Sequence, residues 1–254
     1  MLPEATTVDN EKQSNNSGLP LSLEERQLLD AESTSLRDER LQLLLADIEA
    51  RRATAPDRQD PAAADLAQQA LEAAGLLLDL DRADDAYSLA RPTVDVLLEH
   101  QRFEAAAMAC QYVYLSEQFD ALPAIGQAAW LSVTYPIDPA LTARVLEHIV
   151  DETPDNSDGA AVAAAAAHYV VDLRADESQR EELTLFTGGL LARVARRHSN
   201  IDNQQAFSEW VTRLQLDHPS QFLGRLRNVI DVLVQDDWWF DREALQAAFP
   251  DETD

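Results

Sequence analysis

The chain has 254 residues, with 46 acidic against 20 basic side chains and a formal net charge of −26. Because phosphate contacts need clustered Lys and Arg, this charge argues against nucleic acid and anionic membranes as partners, and it favours a basic protein or peptide. Hydrophobic residues make up 46% of the chain, which is enough for a folded core, and no apolar run is long enough to span a membrane.

The acidity has a second interpretation, in which it serves solubility and reflects the habitat of the organism. The composition supports such a general bias, because Lys12 is the only lysine against 19 arginines. The acids are spread unevenly: residues 61–157 hold 16 acids and 4 bases, whereas residues 158–200 hold 6 and 5. The sequence leaves both interpretations open.

Residues 1–20 are rich in Asn, Ser, Thr and Glu, which predicts a disordered tail without a secretory signal. Residues 21–52 predict one amphipathic helix that lies against the rest of the chain. Its leucines recur every seven residues at Leu29, Leu36 and Leu43, with Leu44 and Ile48 beside them. The companion heptad positions are polar, which argues against a coiled coil. Residues 53–59 are interpreted as a linker.

Residues 60–248 are predicted to form a single all-helical domain, followed by an acidic tail at 249–254. Asp60 and Asp138 each precede a proline, which is typical of an N-cap followed by the first helical residue. Pro92 lies inside a predicted helix and indicates a kink or break near Ala90. The apolar spacing predicts six helices that start about 20 residues apart, over residues 60–80, 84–100, 102–118, 120–133, 138–152 and 158–173.

The later segments continue the helical pattern over residues 176–198, 204–216 and 221–234. Small residues at 160–167 predict a helix that is packed closely on several sides. Gly188 and Gly189 interrupt the longest of the later helices, where they indicate close packing or a kink. Because alternation of period two persists nowhere, we predict an all-α fold, an irregular array of about ten antiparallel helices arranged as an α-α superhelix or repeat.

Two stretches share a pattern of turn and helix start, LDRADDAYSLA at residues 80–90 and HQRFEAAAMAC at residues 100–110. Ala74 and Ala86 stand twelve residues apart, as the small residues of a tetratricopeptide repeat do. Over about 60 residues, and without the full motif, the chain resembles tetratricopeptide-like helical-hairpin repeats. The resemblance implies stacked helical hairpins and a peptide- or protein-binding role.

The residues that commonly carry enzyme chemistry form no known motif in this sequence. The five histidines occur outside any HExxH or Glu-x-x-His pattern, and the seven glycines occur outside any phosphate-binding loop. Cys110 is the only cysteine, and its alanine-rich surroundings indicate a buried thiol rather than a nucleophile. We therefore predict no catalytic residue, cofactor or metal, and the single cysteine favours a reducing cytoplasm.

Two clusters are predicted to bind a partner. The first combines aromatic and acidic residues, namely Trp238, Trp239, Phe240, Asp236, Asp237 and Asp241. In this interpretation the rings form an exposed anchor and the acids form a collar around it. In the alternative interpretation, one ring fills a gap in the core and the others cover its edge.

The second cluster is basic and consists of Arg193, Arg196 and Arg197, in a chain that is otherwise acidic. One interpretation makes it a docking point for an acidic group. The alternative is that these arginines complement the dipole of their helix and pair with acids elsewhere in the chain.

The missing motifs, the helical fold class and the acidic charge favour a non-enzymatic protein–protein interaction module, an adaptor or scaffold that binds a basic protein or peptide. A dedicated chaperone or regulatory subunit of one basic partner is the first alternative. The second is an enzyme whose site is not visible in the sequence and would have to be found from geometry.

Overall fold

The computed structural model describes residues 23–54 and 57–248, and this part of the chain is all-α, without a strand, as predicted. The predicted tails at 1–20 and 249–254 lie outside the described residues. Eleven helices follow one another in the described part: α1 (Leu23–Arg52), α2 (Pro61–Asp79), α3 (Ala83–Glu99), α4 (Phe103–Leu115), α5 (Ala121–Thr134), α6 (Pro139–Glu152), α7 (Asp158–Arg174), α8 (Glu177–Ser199), α9 (Gln204–Arg213), α10 (Pro219–Val234) and α11 (Arg242–Ala247).

Aspartate side chains cap the two helices that begin with an Asp-Pro pair, as predicted. Asp60 accepts a hydrogen bond of 2.9 Å from the N–H of Ala62 at the start of α2. Asp138 accepts bonds of 2.8 and 3.0 Å from the N–H groups of Ala140 and Leu141 at the start of α6. Each cap satisfies backbone donors that the helix leaves unpaired, and it thereby fixes where the helix begins.

α3 runs through Pro92 without interruption, so of the predicted kink or break near Ala90 the break does not occur. Ala90 and Val94, on either side of the proline, are completely buried. The hydroxyl of Thr93 donates a hydrogen bond of 2.7 Å to the carbonyl oxygen of Ala90. Packing of α3 against its neighbours therefore outweighs the cost of an internal proline, which is about 3 kcal/mol.

Each helix from α1 to α7 packs against the next one in the chain, and α2 with α4 and α6 with α8 are also in contact. α10 returns to the middle of this row, where it packs on α5 and α7. The main core extends from α2 to α10, and a smaller core joins α1 to the helices that follow it. The described helices thus form a row of packed neighbours, in a bundle-like or repeat-like arrangement.

The alanine-rich segment of α7 is enclosed by other helices. Its residues 160–167 are seven alanines and one valine, and none of them is more than 6% exposed. Three helices surround it, namely α6, α8 and α10. Because alanine adds almost no side-chain bulk, all three can approach closely, and the predicted close packing of this helix is confirmed.

α1 lies against α2 as an amphipathic helix, and of the predicted apolar residues Ile48 is buried and Leu44 half-buried, whereas the leucines with heptad spacing at 36 and 43 are not. Leu41 and Ile48 are buried, whereas Leu36 and Leu43 are 67% and 74% exposed. Both pairs are seven residues apart, so the spacing alone does not distinguish the two faces. Contact with α2 buries the stripe through residues 41, 45 and 48.

The two stretches that share a sequence pattern form the same turn. Asp81 and Gln101 each have a φ angle of 56°. The N–H of the next residue, Arg82 or Arg102, donates a bond of 2.8 Å to the carbonyl oxygen five residues earlier. This bond is that of a Schellman helix end, formed here without glycine. The junctions of α2 with α3 and of α3 with α4 therefore have matching geometry.

α5 and α10 approach most tightly at Gly126 of α5. A Cβ atom built on this glycine would lie 2.5 Å from Cγ2 of Val234, a buried residue of α10. Real Cβ atoms do not approach other atoms so closely, so a side chain at this position would push α10 outward. Because Gly126 has no side chain, α10 can pack closely against α5.

Candidate functional site

The aromatic and acidic cluster lies in a loop, residues 235–241, that joins α10 to α11. The rings of Trp238 and Phe240 lie against the ring of Trp130 in α5, with centroid distances of 6.2 and 5.4 Å. Gln235 begins the loop with φ 53° and ψ −124°, a backbone conformation that favours glycine. The loop is thus folded back onto the array.

Gln127 of α5 holds this loop in place. Its side chain is completely buried, and its Oε1 accepts a hydrogen bond of 2.8 Å from the backbone N–H of Trp239. Its Nε2 lies within bonding distance of the carbonyl oxygens of Pro123, at 3.3 Å, and Asp237, at 3.4 Å. Because both ends of the buried amide are bonded, the loop has one favourable position on α5.

Two arginines cover the outer faces of the indole rings. Cζ of Arg91 lies 3.8 Å from the ring centre of Trp239, and Cζ of Arg242 lies 3.9 Å from that of Trp238. The rings are half-buried, which matches the interpretation in which they cover the edge of the core. Partner binding at this loop stays a prediction, and its exposed members are Asp236, Asp237 and Asp241.

The basic cluster of α8 does not form one surface. The guanidinium of Arg193 lies 3.1 Å from the carboxylate of Asp151, and that of Arg197 lies 3.4 Å from the carboxylate of Asp155. Both arginines therefore pair with acids around the end of α6, as the alternative interpretation expects. Arg196 lines a separate groove, and within the described residues no carboxylate lies within 4.0 Å of it.

Phe119, in the turn between α4 and α5, is the most exposed large apolar side chain of the described residues, at 89%. Its ring centre lies 6.3 Å from that of Tyr87 in α3. Gln118 donates a bond of 2.8 Å to the carboxylate of Asp84, and Glu117 is exposed beside it. We call these residues, Asp84, Tyr87, Glu117 and Phe119, the Phe119 patch.

Sequence reasoning missed the Phe119 patch because Phe119 belongs to no apolar stripe. Its only signal was an aromatic residue in a segment between two helices, where polar residues are usual. The two acids of the patch have no arginine within 4.0 Å among the residues that the structure describes. The patch therefore offers an exposed aromatic ring and two carboxylates without an ion-pair partner among the described residues.

A second feature is a groove of about 620 Å³ between α8 and the start of α9, which we call the α8–α9 groove. A Cβ atom added at Gly188 or Gly189 would meet no atom within 4 Å, so the predicted close packing at these glycines is wrong. Gly188 lines the groove and Gly189 does not. The lining also includes His168, Leu191, Arg196, Ile201, Asp202 and Phe207.

The single cysteine is buried in the core, and His148 is half-buried. Burial raises the pKa of the Cys110 thiol to about 12, so the thiol is neutral, as the prediction of an inert cysteine requires. Burial also lowers the pKa of His148, whose Nε2 lies 3.2 Å from Nε2 of Gln111. Among the described side chains, no three His, Cys, Asp or Glu residues gather closely enough to hold a metal ion.

Comparison with known proteins adds no relative. None of the helices in the described part is long and apolar enough to cross a membrane. No protein-family model, no curated protein and no solved structure matches the chain. The function is therefore argued from the residues of the array.

Proposed function

We propose that this chain is a non-enzymatic protein–protein interaction module, an adaptor or scaffold whose acidic helical surface binds a basic protein or peptide. The observation that carries the proposal is the exposure of Phe119 beside the carboxylates of Asp84 and Glu117, which have no ion-pair partner in the described part of the chain. A ring in this position gains most from a partner that covers it, and the acids select a partner with Lys or Arg next to an apolar side chain.

The free energies expected from the ring and from the carboxylates show which of them supplies most of the affinity. Covering a phenylalanine side chain contributes about 1.5–3 kcal/mol, whereas an exposed ion pair contributes less than about 1 kcal/mol. The ring is therefore the anchor, and the acids mainly raise the rate of association and make it sensitive to salt. With a net charge of −26, the whole chain attracts a basic partner towards the patch.

The fold suits such a role. Rows of packed helices present extended surfaces to peptides and proteins, and the matching turns at Asp81 and Gln101 support the proposed kinship with tetratricopeptide-like repeats. The loop at residues 235–241, with its acids at Asp236 and Asp237, is a second part of the proposed surface. A cytoplasmic location belongs to the proposal and rests on the single buried cysteine, Cys110.

The test is a low-salt pull-down from native lysate with the wild-type chain and two variants, followed by mass spectrometry. Phe119→Ala removes the anchor. Leu185→Ala is the matched control, because Leu185 is also a highly exposed apolar residue but lies on α8. Since both side chains are exposed, neither substitution disturbs the fold.

We expect the wild type and Leu185→Ala to retain one dominant basic protein, which Phe119→Ala loses and which high salt releases. Equal retention by Phe119→Ala would reject the anchor. A dominant acidic partner, or retention that does not respond to salt, would reject the electrostatic part of the proposal.

A further inference from the structure

The α8–α9 groove has the size and lining of a small-molecule site. Its volume of about 620 Å³ lies within the range of about 300–1,000 Å³ that is usual for ligand pockets. One wall is apolar and is formed by Leu191, Ile201 and the ring of Phe207. A small number of polar groups lie at its margin, which is the composition that positions an amphipathic ligand.

Two opposite charges line this groove without meeting each other. Arg196 bonds only to the carbonyl oxygen of Ala192, at 3.2 Å, and Asp202 only to the side-chain amide of Asn203, at 2.9 Å, as far as the described residues show. No ion pair joins Arg196 to Asp202 or to another described charge within 4.0 Å. A ligand that carries both charges can therefore satisfy both residues at once.

His168 adds a hydrogen-bond acceptor. Its Nδ1 lies 2.9 Å from the hydroxyl oxygen of Thr187, and that hydroxyl donates to the carbonyl oxygen of Leu183 at 2.8 Å. With the hydroxyl proton donated to Leu183, the hydroxyl oxygen accepts from Nδ1–H of His168, and in the neutral imidazole this tautomer has its lone pair on Nε2. A neutral imidazole in this tautomer can accept a bond from an ammonium group.

Gly188 opens the groove on the side of α8. A glycine within a helix weakens the helix, and close packing often offsets that loss. A Cβ atom added at Gly188 would have no neighbouring atom of the described chain within 4 Å, so nothing in this part of the array occupies the space. Gly188 is itself part of the groove lining, so a side chain added there would lie beside the groove.

We propose that the α8–α9 groove binds a small zwitterion with an apolar body, of the class of apolar α-amino acids, with its carboxylate on Arg196, its ammonium on Asp202 and His168, and its apolar part against Phe207 and Leu191. This site is independent of the proposed partner surface, which lies at the turns between other helices. It also gives Arg196 a role apart from the two arginines that pair with acids of the α6 region.

The experiment uses L-phenylalanine as the probe and ligand-observed NMR titration of the full chain as the measurement. Gly188→Leu adds a side chain at the groove lining, where a Cβ atom meets no atom within 4 Å, and Gly189→Leu, at the adjacent glycine with equally open space around its Cβ position, is its matched control. Arg196→Ala and Asp202→Asn each remove one charge. Thermal unfolding checks that all four variants remain folded, which the open surroundings of the glycines and the exposure of both charged residues favour.

We expect saturable binding to the wild type and to Gly189→Leu, and roughly tenfold or greater weakening with Gly188→Leu, Arg196→Ala and Asp202→Asn. N-acetyl-L-phenylalanine and L-phenylalaninamide, which each lack one charge, should also bind roughly tenfold more weakly. No saturable binding of L-phenylalanine, or equal binding to the two leucine variants, would overturn the site. Undiminished binding of either capped analogue would overturn the requirement for a zwitterion.

Discussion

The side-chain oxygen of Gln127 accepts a hydrogen bond from the backbone N–H of Trp239, a residue that lies 112 positions later in the chain. Replacing Gln127 with Leu keeps the volume but leaves the N–H of Trp239 without this acceptor. We expect a loss of about 1–3 kcal/mol in the free energy of unfolding, measured by urea denaturation. Gln205→Leu, on an exposed part of α9, should change it by less than about 0.5 kcal/mol. Equal stability of both variants would show that the loop is not held by this amide.

The mid-helix glycines should respond to alanine with opposite signs. Gly126→Ala places a Cβ atom 2.5 Å from Val234, and we expect a destabilisation of about 1–3 kcal/mol because α10 must move. Gly189→Ala meets no neighbour, so the better helix propensity of alanine should stabilise the chain by up to about 1 kcal/mol. Urea denaturation of both variants measures the two changes. A stabilised Gly126→Ala variant would contradict the close approach of α5 and α10.

Cys110 should be inert in the folded chain. Burial raises the pKa of its thiol from 9.0 to about 12, so at about pH 8 the thiolate population is about 10³-fold lower than in the unfolded chain. Modification with Ellman's reagent should therefore be slow under native conditions and fast in concentrated guanidinium chloride. Rapid modification of the native chain would mean that α4 opens readily around this residue.

His148 should lower the stability of the fold in mild acid. Burial outweighs the carboxylates of Asp151 and Glu152 and lowers the pKa of the imidazole below 6.5 in the folded chain. Between that lowered value and about 6.5, the unfolded chain binds a proton that the folded chain does not, so stability falls as pH falls through this window. His148→Gln should make the free energy of unfolding less dependent on pH in this window.

The pH dependence has a matched control in His218, whose side chain is 65% exposed. Urea denaturation of His148→Gln and His218→Gln across about pH 5–8 compares the two positions. We expect His218→Gln to follow the wild type. If His148→Gln also followed it, the imidazole at residue 148 would not be the group that is penalised by burial.

Local signals made the helix starts predictable. The side chains of Asp60 and Asp138 bond to N–H groups only two or three residues away, so their sequence context contains the whole interaction. A break near Ala90, one of the two outcomes predicted from Pro92, did not occur because burial of Ala90 and Val94 depends on other helices, which the local sequence does not describe. The same limit applies to α1, where the packing partner, and not the spacing, selects Leu41 over Leu43.

The candidate sites depend on contacts between distant segments. The prediction of an aromatic anchor at residues 238–240 could not include Gln127, since nothing in the sequence pairs α5 with the loop after α10. The three arginines of the basic cluster lie close together on α8, so the sequence suggested a single basic surface. Contacts with other segments separate them, because Arg193 pairs with Asp151 of α6 and Arg196 lines the α8–α9 groove. Phe119 could not be recognised from the sequence, because the feature that distinguishes it is its exposure, and exposure depends on how few residues from other segments lie beside it.

Because of the backbone conformation of Gln235, we expect residues 235–248 to open before the other described helices. A residue other than glycine with φ 53° and ψ −124° destabilises the folded state by about 1–3 kcal/mol. The hydrogen bonds of Gln127 contribute a stabilisation of similar size. The segment from residue 235 to 248 should therefore detach in a subglobal opening while α7 and its neighbours stay protected. Native-state hydrogen exchange measures this directly, with the amide of Trp239 exchanging well before those of residues 160–167. In that case only the amides at the centre of the array would report the global stability of the protein.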